Sequence, residues 1–483
     1  MKFTSITFGF FFLFVYFLYW QLRGKSKLVF IFIASLLFYA AWSPAFAIHF
    51  LAIAIFNYLA VVKLFDHKSK SLLSLILFVD ISNLFFFKYF YLLLDFLYKI
   101  TRFEIFQSQV FNSWLESNTG SSSIFLPLAI SFYSFVFIAY TVDVYNGKIK
   151  EKEGFLEYFT FIFYFPHLVA GPIIRHSDFF YQIKNPIKPD SVKITSGLYL
   201  ITQGMLKKLI IADNIAPIIQ PVYADPTAFN SVSILVATVG YSMRVYCDFS
   251  GYTDIARGLS KLLGLELPEN FLAPYLTTNI RDFWKKWHYT LSTWIRDYIY
   301  IPLGGSKSSE LRNIFNLTLA FTIGGLWHGA NYTFLFWGAW NGFAIAIERR
   351  LCLILPFLNT DLEKGNNFLG KVRYLVYIIL GFSFTQWVCA IGSSFFNSEN
   401  IDLAFQMIVS MHSFQDGKLA TGIEPVGYAF LATLFFNFLQ KKNWEGFGIS
   451  NLGILALFLF ATISLIILGL FTPEGAEFIY FQF

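Results

Sequence analysis

Charge is what this chain has least of. Asp, Glu, Lys and Arg make up 14% of its 483 residues, while hydrophobic residues make up 56%, a balance that excludes an ordinary soluble enzyme. No hydrophilic stretch is long enough for a separate soluble domain. Cysteine is scarce as well. Cys247, Cys352 and Cys389 stand far apart with no CxxC, which implies neither a disulfide framework nor a thiolate metal site, and Cys247 reads as a small packing residue. There is no HExxH and no histidine pair at i,i+4, so metal ligation is not indicated. There is no GxSxG elbow for a nucleophilic serine and no glycine-rich phosphate loop. No small-residue cleavage pattern follows the apolar run from Ile6 to Trp20, so this segment is expected to stay as a helix. The net charge of +6 comes without a basic stripe on a soluble binding fold and does not point to nucleic acid.

What is present is apolar sequence, recurring along nearly the whole length and enriched in Phe, which contributes 62 residues. The expectation is an all-α integral membrane protein with one polytopic domain of roughly 11–13 spanning or re-entrant helices. Within it, 1–150 reads as amino-terminal helices, 151–350 as a core and 351–483 as carboxyl-terminal helices. Arg23, Lys25 and Lys27 separate the first two runs, Lys63, His67, Lys68 and Lys70 follow the third, and Lys148, Lys150 and Lys152 follow a run ending near Tyr145. The loop from Glu104 to Ser123 has no Lys or Arg. This alternation predicts helices near 6–22, 28–44, 46–65, 72–98 and 124–145, with basic loops cytoplasmic and the amino terminus outside.

Three interruptions in the apolar pattern carry the chemistry. Phe165 to Arg175 contains Pro166, Gly171 and Pro172, which cannot continue a helix without losing backbone bonds. The segment reads either as re-entrant, with His167 and Arg175 lining something polar, or as a kinked helix with a structural histidine. Asp248, Ser250, Asp254 and Arg257 follow the apolar run from Val232, the last three sharing a helical face. Two carboxylates entering a bilayer need partners, and Arg244 and Arg257 are the nearest. The pair reads as orienting a histidine or as an ion pair holding helices together. From Arg281 to Leu303, Phe283, Trp287, Leu291, Trp294 and Tyr298 recur at helical spacing with Lys285, Lys286 and Arg296 off the stripe. That pattern describes an amphipathic helix lying in the interface, with His288 at the stripe's margin.

His328 is the most informative single residue. No Asp, Glu, Lys or Arg occurs from Asn313 to Ile347, and Gly324-Gly325-Leu326-Trp327-His328-Gly329-Ala330-Asn331 lies in the middle. The run exceeds the ~20 residues of one crossing and falls short of two full ones, which predicts a pair of helices broken at the histidine. Irregular backbone at membrane depth survives only inside protein or against a wet cavity, and an ionisable residue there marks a function unless it is a packed structural histidine. An imidazole with a reference pKa of ~6.5 can take a proton from a hydroxyl, as acyl transfer to an alcohol requires. Asn331 is placed to cap the next helix and leave amides for an oxyanion.

These words together resemble the membrane-bound O-acyltransferases, and within them the bacterial branch serving alginate O-acetylation. The resemblance rests on Ile130-Ser131-Phe132-Tyr133-Ser134-Phe135, the Phe165-to-Arg175 segment, Asp248-Phe249-Ser250-Gly251-Tyr252-Thr253-Asp254 and Glu269-Asn270-Phe271. It continues through Phe283-Trp284, Trp287-His288, Leu291-Ser292-Thr293-Trp294, Gly324 to Asn331, and Phe478 to Phe483. Lys285-Lys286 replaces an Arg-Arg of that branch, and Cys247 stands where it has Phe. The resemblance implies a helical fold around a central funnel or tunnel, with His328 the essential catalytic residue and His288, beside Trp287, a second polar position. It implies acetyl-CoA as donor with no permanently bound cofactor, a polysaccharide acceptor, a periplasmic serine-hydrolase-like partner and a bacterial cytoplasmic membrane. Peptidoglycan O-acetylation and teichoic-acid D-alanylation are relatives within the class. The rival class is a transporter, which also builds sites from broken helices, although no inverted repeat is evident.

Overall fold

The structure, a computed structural model, describes residues 2–307, 309–354, 368–442 and 478–479. Among these the regular structure is helical, apart from one isolated parallel bridge between Phe229 and Lys418. Most of the expected carboxyl-terminal helices beyond Lys442, and the Tyr480 to Phe483 end of the carboxyl-terminal motif, lie outside the described residues. The chain divides into two compact units. One is Met1–Asp190 with Leu259–Pro268, and the other is Ser191–Gly258 with Glu269–Gln482.

In the first unit the helices Ile6–Gln21, Lys25–Ala40, Pro44–Asp66 and Lys70–Lys88 follow one another with short turns. Ser5, Ser43 and Ser69 each accept a hydrogen bond from a backbone N–H of the following turn, fixing where three of them begin. Two expected runs are shorter than their apolar patterns. The 72–98 run divides at Tyr89 into Lys70–Lys88 and Phe90–Thr101. The 124–145 run starts only at Ile130, because Pro127 disfavours helix at the residue before it and Ala129 turns left-handed at φ 61°. Pro44–Asp66, Lys70–Lys88 and, in the second unit, Gly370–Asn397 are long and apolar enough to cross a membrane. Phe10, Ile48 and Phe78 are each at least 68% exposed, which lipid tolerates and water does not. Asn57 Nδ2 donates to Asp80 Oδ1 at 2.7 Å, joining two of the spans deep in the unit. The charge pattern of the loops carried no sign of that pair.

The Phe165-to-Arg175 segment is one short turn, Phe165–Leu168, followed by irregular chain. It is almost wholly buried, and Ser35 Oγ accepts from the Phe165 N–H at 3.1 Å. Protein, then, satisfies this irregular backbone.

In the second unit, Glu310–His328 and Tyr332–Ile354 form a tight antiparallel hairpin, as the uncharged run predicted. Gly325 faces the backbone of Phe334 and Gly338, and Gly338 faces that of Phe321 and Thr322, so any larger residue at either place would force the helices apart. The expected continuous amphipathic helix is instead Ile280–Lys286, a break, Tyr289–Ile295 and a π-helical turn Arg296–Tyr300. The stripe itself is real, with Phe283, Trp287, Leu291 and Trp294 buried. The break falls at His288, whose φ of 42° is left-handed and so cannot belong to a helix.

Candidate active site

His328 is the last residue of Glu310–His328, and Gly329 leaves it in extended backbone with φ −164° and ψ 154°. The imidazole is 3% exposed and sits among the rings of Trp327, Trp337 and Phe396, with centroids 4.8, 4.9 and 5.1 Å away. Its surroundings are aromatic, and space opens beside it. A cavity of about 410 Å³ is lined by His328, His288, Trp284, Trp287, Gly324 and Trp337, and reaches outward past Arg281, Lys285 and Arg296. A second cavity, about 50 Å³, meets the same histidine from the side of Tyr241, Ser242, Asn341 and Phe396. His328, Trp284, Trp287 and Trp337 line both, so the imidazole stands where two spaces approach one another.

His288 is fully buried and lines the larger cavity. Its Nδ1 lies 3.0 Å from Asn270 Oδ1. The same oxygen accepts from Thr290 N at 3.3 Å and Thr290 Oγ1 at 2.9 Å, which identifies it as the oxygen and not the amide nitrogen. An acceptor opposite Nδ1 requires Nδ1 to carry the hydrogen, which leaves Nε2 with the lone pair. Nε2 has no hydrogen-bond partner among the described residues. The edges of Phe249 and Trp327 approach the ring at centroid distances of 4.6 and 5.7 Å. The site therefore holds an imidazole whose Nε2 lone pair has no partner among the described residues, in an aromatic wall where Trp327 packs against both histidines.

The other residues singled out in the sequence divide clearly. Trp287 and Trp327 are buried and pack against the two histidines or their cavity. Asn331 does cap the next helix, its Oδ1 accepting from Thr333 N at 3.2 Å, while its Nδ2 donates to Glu399 O at 2.9 Å. The Thr333 amide is thereby engaged and is not available to an oxyanion. Asp248 and Asp254 bond to lysines. Lys208 Nζ sits 2.6 Å from Asp248 Oδ1 and 2.7 Å from Asp213 Oδ1, and Asp248 Oδ2 accepts from Ile479 N at 2.8 Å. Lys207 Nζ and Gln203 Nε2 reach Asp254 Oδ2 at 2.6 and 3.1 Å. Arg257 stands 4.0 Å from Asp254 and bonds Glu269 at 3.1 Å. These carboxylates tie helices together, and their bonds go to lysines and backbone instead of a histidine. Phe249, next to Asp248 in the chain, packs against His288. Ser250 is buried beside Tyr246. His167 and Arg175 belong to the first unit. His167 Nε2 lies 3.0 Å from Phe161 O, which holds local chain in place, and the backbone N–H of Arg175 donates to Asp178 Oδ2 at 2.9 Å at the start of the next helix.

Sequence reading passed over Asn270, Trp337 and Phe396 as site residues; Asn270 did lie in the motif Glu269-Asn270-Phe271, whereas nothing in the local pattern of Trp337 or Phe396 separates them from packing. It also passed over Lys207 and Lys208, although two adjacent lysines in an apolar run were a visible signal. Both point inward because Leu206–Ala212 is a π-helical turn, whose extra residue shifts the helical register. Among the described residues no group of three or more His, Cys, Asp or Glu is placed to hold a metal ion.

Comparison with known proteins gives the family. Residues 148–388, which hold both Trp-His pairs, match the membrane-bound O-acyltransferase family. The chain is 34% identical over 428 residues to a probable alginate O-acetylase of Azotobacter vinelandii, covering 87% of this chain and 80% of that protein. It is 33% identical to the probable alginate O-acetylase of Pseudomonas aeruginosa, over 92% of this chain and 82% of the other. A peptidoglycan O-acetyltransferase of Helicobacter pylori is 31% identical over 85% of this chain and 77% of its own. A buried pair of histidines facing a cavity in an apolar helical bundle, carried by a sequence with these relatives, places the chain in the membrane-bound O-acyltransferase family: it is a membrane-embedded O-acyltransferase.

Proposed function

We propose that the chain takes an acetyl group from a cytosolic thioester donor, acetyl-CoA in the simplest case, and delivers it for O-acetylation of an exported glycan. The observation that carries this reading is the position of His328 at the meeting of two cavities, since acyl transfer through a membrane needs one base that donor and acceptor approach from separate spaces. In this scheme His328 takes the proton of the acceptor hydroxyl as its oxygen attacks the thioester carbonyl. The tetrahedral intermediate collapses, the C–S bond breaks, and the thiolate leaves with the proton returned from His328. General base catalysis of this kind contributes roughly 10²–10⁴-fold. His288, held by Asn270 and lining the same cavity, positions the acceptor beside His328. Arg281, Lys285 and Arg296 at the outer reach of the larger cavity complement the phosphates of such a donor.

The acceptor is an alginate-like or peptidoglycan-type glycan, the two chemistries named for the relatives of near-full coverage. A periplasmic serine-hydrolase-like protein would receive the acetyl group and place it on the polymer. The basic loops support a bacterial cytoplasmic membrane with the amino terminus outside. The test is reconstitution: vesicles holding the purified protein and labelled acetyl-CoA, with an acceptor glycan and partner supplied on the other side. Label transferred to glycan supports the reading. An unmodified solute crossing without donor consumption would instead mark a transporter.

A further inference from the structure

A polar cavity of about 180 Å³ lies at the end of the helical hairpin away from His328, lined by Ser306, Glu310, Asn313, Ile314, Arg349 and Arg350. Glu310 and His328 stand eighteen positions apart on one helix, roughly 27 Å along its axis, so this cavity is not part of the reaction centre. Its walls are specific. Arg349 Nη1 donates to Asn313 Oδ1 at 3.0 Å, and Asn313, itself buried, donates to Tyr300 Oη and Gly305 O at 3.0 and 3.3 Å. Arg350 pairs with Glu310. Two guanidinium groups against one carboxylate leave a net positive charge of one. Each guanidinium carries five donors in a planar fork suited to phosphate oxygens.

Exposed apolar side chains stand among the charged ones around the cavity. Leu311 and Phe315 on one helix, and Phe343 and Ile347 on the other, are 82%, 53%, 48% and 39% exposed. Each pair is spaced i,i+4, so each helix presents a continuous apolar strip beside the charged pocket. Arg312 reaches over the Phe315 ring at 5.4 Å, a position that sets a further cation at the edge of that strip. A basic pocket with apolar strips beside it matches a lipid: headgroup phosphate in the pocket, acyl chains along the strips.

We propose that this cavity binds the phosphodiester of an anionic membrane phospholipid, held by Arg349 and Arg350. The single negative charge of a diester balances the pocket, whereas a dianionic phosphate monoester would leave excess negative charge. The inference stands on the membrane reading of the chain and not on the assignment of the reacting histidines. Through Asn313 and Tyr300 the bound headgroup braces the wall of the larger cavity, which Tyr300 also lines.

The test uses the full chain in nanodiscs of phosphatidylcholine, with or without phosphatidylglycerol, read by native mass spectrometry and thermal midpoint. The wild type is expected to retain phosphatidylglycerol and to gain stability from it. The Arg349→Gln/Arg350→Gln variant should retain at least tenfold less. Ser306→Glu, which alters an exposed residue of the lining, should weaken retention without removing any contact, and guards against a folding defect in the double variant. Retention unchanged in both variants overturns the site. Stabilisation by adenosine 3′,5′-bisphosphate through the same arginines, with no effect of phosphatidylglycerol, overturns the lipid as occupant and assigns the pocket to a soluble phosphate.

Discussion

Asn270 holds His288 by a single hydrogen bond, Oδ1 to Nδ1 at 3.0 Å, and so decides which face of the imidazole is basic. Thr290 donates twice to that oxygen and locks the amide orientation. Asn270→Ala should therefore cost activity by releasing the tautomer, with kcat falling about 10-fold or more and KM for the donor little changed. Asn270→Asp tests the same point by sign. A carboxylate keeps the acceptor but adds negative charge, which favours the protonated imidazole. The acidic limb of the pH–rate profile should then move to higher pH, by about one pH unit or more. A profile that stays in place while activity falls would reduce Asn270 to packing.

His328→Ala should lower transfer of labelled acetyl to glycan by at least ~100-fold, the lower range for a lost general base. Membrane levels measured by immunoblot should remain near wild type, because alanine keeps the helix and removes ring contacts with Trp327, Trp337 and Phe396. Full activity in this variant would remove the histidine from the chemistry.

Gly338→Leu should separate the hairpin that carries His328, since the space where its side chain would grow holds the backbone of Phe321 and Thr322. Overpacking of this kind costs about 1–3 kcal/mol, read as a lower thermal midpoint in detergent. Gly427→Leu makes the matched control, as that glycine has open space around it. Equal loss in both would mean that leucine itself, and not close helix approach, is responsible.

Asp248→Ala should destabilise the second unit by about 3–5 kcal/mol, the range for breaking a buried ion pair from one side. Adding Lys208→Met should cost less than the sum of the two changes, because the Asp248–Lys208 bond is lost in each single change but only once in the pair, while Asp213 loses its lysine whenever Lys208 is replaced. Thermal midpoints of the four combinations form the cycle. Strict additivity would show that the two groups do not act as a pair.

Much of the architecture was legible beforehand because lipid imposes a simple rule. A chain with so few charges must bury its backbone bonds in helices, and the uncharged run around His328, too long for one crossing and a little short for two, points to two helices and a sharp turn. The stripe from Phe283 to Trp294 was readable for a similar reason, since burial follows side-chain spacing even where the helix itself breaks. That break was not legible. The left-handed turn at His288 comes from the hold of Asn270 on the ring and on Thr290, a contact eighteen residues away in sequence. Asp248 and Asp254 announced that cations must be near, and Arg244 and Arg257 were nearest along the chain. Lys207 and Lys208 are their main partners because a π-helical turn on a different helix rotates both inward.

The sequence alone determined the solvent of this protein, its helical class, the family it belongs to and the histidine most worth altering, since each follows from composition or from a contiguous word. Tertiary structure decided the rest: which tautomer His288 adopts, that His328 faces two spaces, that the carboxylates clamp lysines, and that a basic pocket forms where Glu310 and Arg349 come together. Each of those depends on residues far apart along the chain, and a hydrogen bond or a cavity wall exists only once packing has chosen which distant side chains become neighbours.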